Sequence, residues 1–208
     1  MSALSTAAWI GLLAAIAQIA FVLWYGGRTR PLTAEERSAF FRLMHQHRLD
    51  RDDPELLAAL QQLLAADDGR EFVMVNLIRY RAKAAYPEGY AYDDSAAAAD
   101  RRYARAFFPW LLRYGNFPLF IARRSGTFIE PVGAEPWQMV AMIRYRSRRD
   151  FVRSVTVVAG RGVMVHKWAA IETTHVFPVQ PMFSFVAVRL VAALVVAITA
   201  AGSWLFFG

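Results

Sequence analysis

The chain of 208 residues contains no cysteine. That excludes a disulfide framework, thiolate catalysis and cysteine-held zinc or iron–sulfur sites, and it fits a reducing compartment among others. Histidine is scarce as well, with four residues in all. His45 and His47, two apart, do not share a helical face, and His175 has only Glu172 close by, so no spacing makes a metal site. Lysine is nearly absent: Lys83 and Lys167 are the only two among 24 cations, which leaves 22 arginines. In an alanine-rich chain that pattern suggests coding bias as readily as selection for charge. The net charge of +7 is spread from Arg28 to Arg189 without a nucleic-acid-binding motif, and nucleic acid is not an expected partner. No nucleophile motif, phosphate loop or dinucleotide fingerprint occurs. Gly160-Arg161-Gly162 lacks both a third glycine and a preceding strand, and no motif implies a cofactor.

Charge is missing at the two ends. Residues 7–25 carry none, and residues 183–207 carry only Arg189. Each block reaches about the 20 residues that a bilayer-crossing helix needs. The expected organisation is a transmembrane helix over 7–26, a helical lead-in over 33–67, a domain over 70–180 and a second transmembrane helix over 183–207. The basic n-region of a cleaved signal is missing from residues 1–6, so the first helix is expected to stay as an anchor. Trp9, Trp24, Tyr25 and Trp204 lie near the span ends, where interfacial aromatics belong. Arg28, Arg30 and Arg37 after the first span and Lys167 before the second place the domain in the cytoplasm, with both termini across the inner membrane. Arg189 is an intramembrane charge, expected to snorkel to the headgroups or to pair with a partner subunit.

Between the anchors the strongest signal is a repeat. MVNLIRYR at 74–81 returns as MVAMIRYR at 139–146, with six of eight positions identical and Asn76/Ala141 and Leu77/Met142 changed. Thr33 to Glu36 reads as a capping box, and Asp53-Pro54 opens a second, leucine-rich helix. Strands are predicted over 72–80, 117–130, with a bend at Gly126, 137–145 and 169–179. Helices are predicted over 96–114, stopped by Gly115-Asn116, and from Ser147 to about 158. The order β-α-β-β-α-β is the split βαβ arrangement of ferredoxin-like domains, an α+β class. Because both faces of the second repeat strand are largely apolar, the sheet calls for cover on both sides. A second copy would supply it, giving a homodimer that closes a barrel between protomers.

The leucine-rich helix ending in Asp67-Asp68-Gly69, the MVNLIRYR string, and Tyr103 ahead of Pro109-Trp110-Leu111-Leu112 and Gly115 form a distinctive set. With Trp137, Arg144-Tyr145-Arg146-Ser147 and His166-Lys167, they resemble an uncharacterised bacterial family, domain of unknown function 1330. That family sits within the dimeric α+β barrel superfamily, and the resemblance covers residues 56–179. Arg146 stands where the family has Pro, Lys167 where it has Arg, and the anchors lie outside its pattern. What the resemblance implies is a ferredoxin-like fold and dimerisation. The wider superfamily includes cofactor-free monooxygenases, haem-degrading enzymes and haem peroxidases, so the fold does not choose a chemistry.

Candidate site residues follow from residue type. Asn76 is a polar side chain in an apolar strand, and it either bonds to nearby backbone or lines a pocket. His166 can act as a base or ligand near neutral pH, or sit capped or in solvent. Tyr103 and Trp137 either line the same pocket with them or belong to the core. Arg79 and Arg144, equivalent in the repeat, either hold an anion or form ion pairs at the sheet edge. The reading preferred on these residues is a non-catalytic ligand-binding or membrane-complex module, joined to the bilayer and to further membrane subunits. The alternative is a membrane-tethered, monooxygenase-like oxidoreductase acting on a small apolar substrate, which requires a polar-lined pocket holding Asn76 and His166 together.

Overall fold

The computed structural model describes residues 5–25, 30–47, 53–92, 94–134, 136–182 and 188–207. Among them are seven helices and four strands: α1 (Thr6–Tyr25), α2 (Ala34–Gln46), α3 (Pro54–Ala65), β1 (Phe72–Tyr80), α4 (Ala96–Arg113), β2 (Phe117–Arg123), β3 (Met139–Tyr145), α5 (Arg148–Ala159), α6 (Met164–Ala170), β4 (Ile171–Val179) and α7 (Val188–Phe207). The chain divides into two compact units, residues 1–27 with 182–208, and residues 28–181.

In the first unit α1 packs against α7. Thr6–Tyr25 is the one described helix long and apolar enough to cross a membrane; Val191–Phe206 is a shorter apolar stretch. Leucine, isoleucine and valine side chains point outward all round α1, with Leu13 61% and Leu23 78% exposed. The expected charge at Arg189 falls in the first turn of α7, and its side chain lies outside the described residues.

In the second unit local signals set the element ends. Thr33 and Glu36 close the capping box, Glu36 accepting from the Thr33 amide at 2.7 Å and Thr33 Oγ1 from the Glu36 amide at 3.2 Å. Asp53, Ser95 and Ser147 cap α3, α4 and α5. Helix α4 ends in a Schellman turn: Gly115 has φ +71°, and the Asn116 amide donates to Leu111 O at 3.0 Å. A side chain with a Cβ would strain that left-handed position.

The strands form one antiparallel sheet in the order β2-β3-β1-β4. The two copies of the repeat are therefore adjacent, and they run antiparallel. Met74 faces Ile143, Ile78 faces Met139, and Asn76 faces Ala141 midway between. A local pseudo-twofold axis thus passes between Asn76 and Ala141, one of the two places where the copies differ. Arg79 and Arg144 are equivalent under that axis and lie toward opposite ends of the sheet.

Period-two alternation splits the sheet into two faces. Phe72, Met74, Ile143 and Tyr145 pack against Phe107 and Leu111 of α4 and Val158 of α5. Ile78 packs against Ala96 and Ala99 of α4 and Ala169 and Ala170 of α6. Helices α2 and α3 form an outer layer on α5, through Phe40, Met44 and Leu64 against Val152 and Ala159. Arg149 fastens that layer by pairing with Glu36 and donating to the Pro31 carbonyl at 2.9 Å. The lead-in is therefore part of the same unit as the sheet. The other face carries Val73, Val75 and Leu77 of β1, Val140 and Met142 of β3, Phe120 of β2, and His175, Phe177 and Val179 of β4, as the register requires. Phe120 is 52% and Phe177 43% exposed there.

Three boundaries differ from expectation. Strand β2 ends at Arg123 instead of reaching residue 130, because Arg123 opposite Met139 is its last pair. Beyond it, Arg124 folds back onto the Gly126 carbonyl at 2.9 Å and onto Glu130, closing the chain into a loop. β3 correspondingly starts at Met139, with Trp137 outside the ladder. Residues 164–170 are helical, where the sequence reading had no helix and began the last strand at 169. That helix has Val163 at its N-cap and no side-chain cap bond, so it has no start signal, and burial of Ala169 and Ala170 holds it in place.

Candidate functional site

Asn76 lies on the helix-facing side of β1. Its Nδ2 donates to Met74 O and to Ala141 O, both at 3.2 Å. The amide thus bridges the two repeat copies at their pseudo-twofold axis. This accounts for the broken symmetry: a second asparagine at residue 141 would face the first, with both amides directed at the same few carbonyls. Of the two readings of Asn76, bonding to neighbouring backbone is the one observed.

The two repeat arginines are paired with acids. Arg79 donates to Thr173 Oγ1 at 3.0 Å and approaches Glu172 at 3.3 Å; Arg144, 6% exposed, meets Glu71 at 3.4 Å. With a carboxylate beside each, neither offers an uncompensated cation to an anionic ligand.

His166, on α6, meets a different group. Its Nδ1 lies 2.9 Å from the Tyr86 hydroxyl, and its ring stands edge-on to Tyr86 and Tyr92, with centroids 5.6 and 5.4 Å away. Arg102 of α4 donates to the Tyr86 hydroxyl at 3.3 Å, packs over the Tyr92 ring at 4.2 Å and pairs with Asp94. Since Tyr86 accepts from Arg102, its own proton falls on His166 Nδ1, which selects the neutral Nε2–H tautomer. Burial, and then the Arg102 charge, hold the imidazole below its ordinary pKa, against an opposing pull from Asp94.

Tyr103 stacks on Phe107 at 5.3 Å in the helix layer, and burial pushes its phenol upward. Trp137 lies against His175 of β4 with centroids 4.9 Å apart. Asn76, Tyr103, Trp137 and His166 therefore engage different partners: backbone carbonyls, Phe107, His175 and Tyr86. None of them lines either of two cavities among the described residues: a groove of about 560 Å³ between α2 and α3, lined by Phe41, Arg42, His45 and Leu57 among others, and one of about 330 Å³ between α1 and α7. No group of three metal-ligating side chains occurs among the described residues.

Two polar clusters escaped the sequence reading. In one, Tyr80 donates to Asp100 at 3.0 Å, and Lys167 lies 5.8 Å from the Tyr103 ring and 5.0 Å from Trp168. Burial raises the Asp100 carboxyl and lowers the Lys167 amine to about 8. In the other, Asn116, Ser147, Asp150 and Ser154 are all fully buried. Asp150 accepts from Arg146 Nε at 2.7 Å and Nη2 at 3.1 Å, and from Ser147 Oγ at 2.8 Å. Asn116 accepts from the Arg146 amide at 3.0 Å and donates to Ser154 at 2.9 Å. Every group in this knot holds β2, β3 and α5 together, and none of its donors is directed at a cavity.

These features define a mixed α+β protein with a four-stranded antiparallel sheet. Two crystal structures are similar to it. One is of the methylated RPA0582 protein, 27% identical over 62% of this chain and 93% of that one, with a TM-score of 0.56. The other is of RPA0582, described as a protein of unknown function from Rhodopseudomonas palustris, again 27% identical, over 61% and 94% of the two chains, with a TM-score of 0.55. No protein-family model and no curated protein matches the chain.

Proposed function

We propose that the chain is a membrane-anchored, homodimeric α+β module of ferredoxin-like topology, of the kind found in domain of unknown function 1330. It binds a ligand or steadies a membrane complex and does not run a reaction of its own. The observation that carries the reading is the apolar sheet face turned away from the helices, which exposes Phe120 and Phe177 on its outer strands while Val73 and Val75 at its centre are buried. Four strands about 4.8 Å apart and about 25 Å long offer on the order of 450 Å² of flat area. Two copies face to face would remove on the order of 1,000 Å² from solvent, the lower bound for a specific interface. A second copy is the fitting occupant because this face is apolar at its centre and carries Arg79–Glu172 and Arg144–Glu71 toward its two ends, a self-complementary arrangement for a twofold contact. The apolar stretches Thr6–Tyr25 and Val191–Phe206 favour an anchor, and Arg28, Arg30 and Arg37 favour a cytoplasmic position for the module.

Against the oxidoreductase alternative stand the engagement of the Asn76 amide with backbone carbonyls and its separation from the neighbours of His166. Native mass and an absorbance spectrum of the full chain in mild detergent test the proposal. A mass of two chains with no visible chromophore supports it. A single chain overturns the pairing, and a haem or flavin band overturns the non-catalytic reading.

A further inference from the structure

Between β1 and α4 the chain crosses the outer side of the helix layer. Ala85 N donates to Ala169 O at 2.9 Å and Ala84 N to Asp94 O at 3.0 Å, while Arg81 N reaches Ala170 O at 3.0 Å. Ala84 and Tyr86 pack on the cluster of Ile78, Ala96, Ala99 and Ala169, which Tyr80 also borders. Three tyrosines lie on this segment, Tyr86 within 5.8 Å of Tyr90 and 5.0 Å of Tyr92. Besides the backbone bonds, a polar latch formed by Tyr86, His166, Arg102 and Asp94 holds it.

We infer that residues 82–92 form a strap across α4 and α6 that is released when His166 takes up a proton. The neutral ring accepts from Tyr86 through Nδ1. A protonated ring has no acceptor to offer, and it places a second cation beside Arg102. The charged and titratable groups around His166 are Tyr86 and Tyr92 on the strap, Arg102 on α4, Asp94 just before α4, and Lys167 beside it on α6. Asp94 alone favours the proton, and its carboxylate is already paired with Arg102. Closure therefore prefers the neutral ring. The sign follows from linkage: because the closed state lowers the imidazole pKa below its ordinary 6.5, closure is complete above that value and weakens as pH falls beneath it.

Hydrogen exchange of the full chain in detergent tests the inference at pH 7.5 and 5.5, with rates corrected for intrinsic chemistry. The Ala84 and Ala85 amides are expected to exchange at least about twofold faster at pH 5.5. The increase is bounded at about tenfold, because pH 5.5 lies one unit below an ordinary imidazole. Amides of β1 should not follow, and His166→Gln should remove the pH dependence. An unchanged wild type, a matching rise in β1, or the same rise in His166→Gln overturns the strap.

Discussion

Asp150→Ala is expected to cost more than any surface substitution in this chain. The carboxylate is fully buried and accepts four bonds, from Arg146 Nε, Arg146 Nη2, Ser147 Oγ and, at 3.3 Å, Arg153 Nη1. Removing it leaves the Arg146 guanidinium, whose side chain is 12% exposed, without its bidentate carboxylate. Breaking a buried pair in this way costs about 3–5 kcal/mol, because the remaining charge is still desolvated. The Ser147 cap also loses its reciprocal partner. In a unit of this size each kcal/mol moves the melting temperature by about 2–4 °C, so a fall on the order of 10 °C is expected.

Thermal melting of the full chain in detergent, followed by circular dichroism, measures it. The double variant Arg146→Met/Asp150→Ala separates charge stranding from lost packing. With no buried cation left behind, it should recover at least half of the single variant's loss. A single-variant loss below about 1 kcal/mol, or a double variant no more stable than the single, would refute the reasoning.

Phe177→Asp places a charge on the sheet face turned away from the helices, at a residue 43% exposed; it should leave the helix content of the chain intact while converting a two-chain species to one on native mass. Persistence of the dimer in that variant would move the interface elsewhere. Arg149 and the Thr33 cap hold the Glu36 carboxyl down to about 2. Stability from this link is complete above the ordinary value near 4.5 and lost as pH falls toward 2, so docking of α2 on α5 should loosen over that window. Glu36→Gln should show the loosened state already at neutral pH, measured as faster exchange of the α2 amides. Asn76→Ala makes the repeat copies alike at the pseudo-twofold axis and removes two bonds to carbonyls that already face the ladder, so it should cost no more than about 1–2 kcal/mol. A larger loss in chemical denaturation would show the amide to be more than a bridge between the strands.

The parts of the fold that were legible in the sequence are those with local causes. Thr33 and Glu36 announce α2, Asp53-Pro54 announces α3, and Gly115-Asn116 stops α4, because each end is fixed by side chains within a few positions. Helix α6 was hidden because its start has no cap and its stability comes from alanines buried against distant residues. The length of β2 was misread for a similar reason: it is set by where β3 stops offering a partner, and the sequence of β2 itself stays β-prone past that point. The Asn116–Asp150 knot was missed because its members come from three elements and look, one at a time, like ordinary caps and turn residues.

Residue type named Asn76, Tyr103, Trp137 and His166 together, but the positions of side chains across a sheet depend on register and face. The repeat contains more of that information than its similarity alone suggests. Two like strands paired antiparallel must have one pair of equivalent positions facing each other on the axis. At that pair, identity is a liability for a polar residue and harmless for a small one. Asn76 opposite Ala141 resolves it by letting one amide serve both strands. The divergence of the repeat at Asn76 is thus explained by symmetry. The chemistry left without a structural purpose shifts to residues that the repeat does not contain, above all the latch at His166.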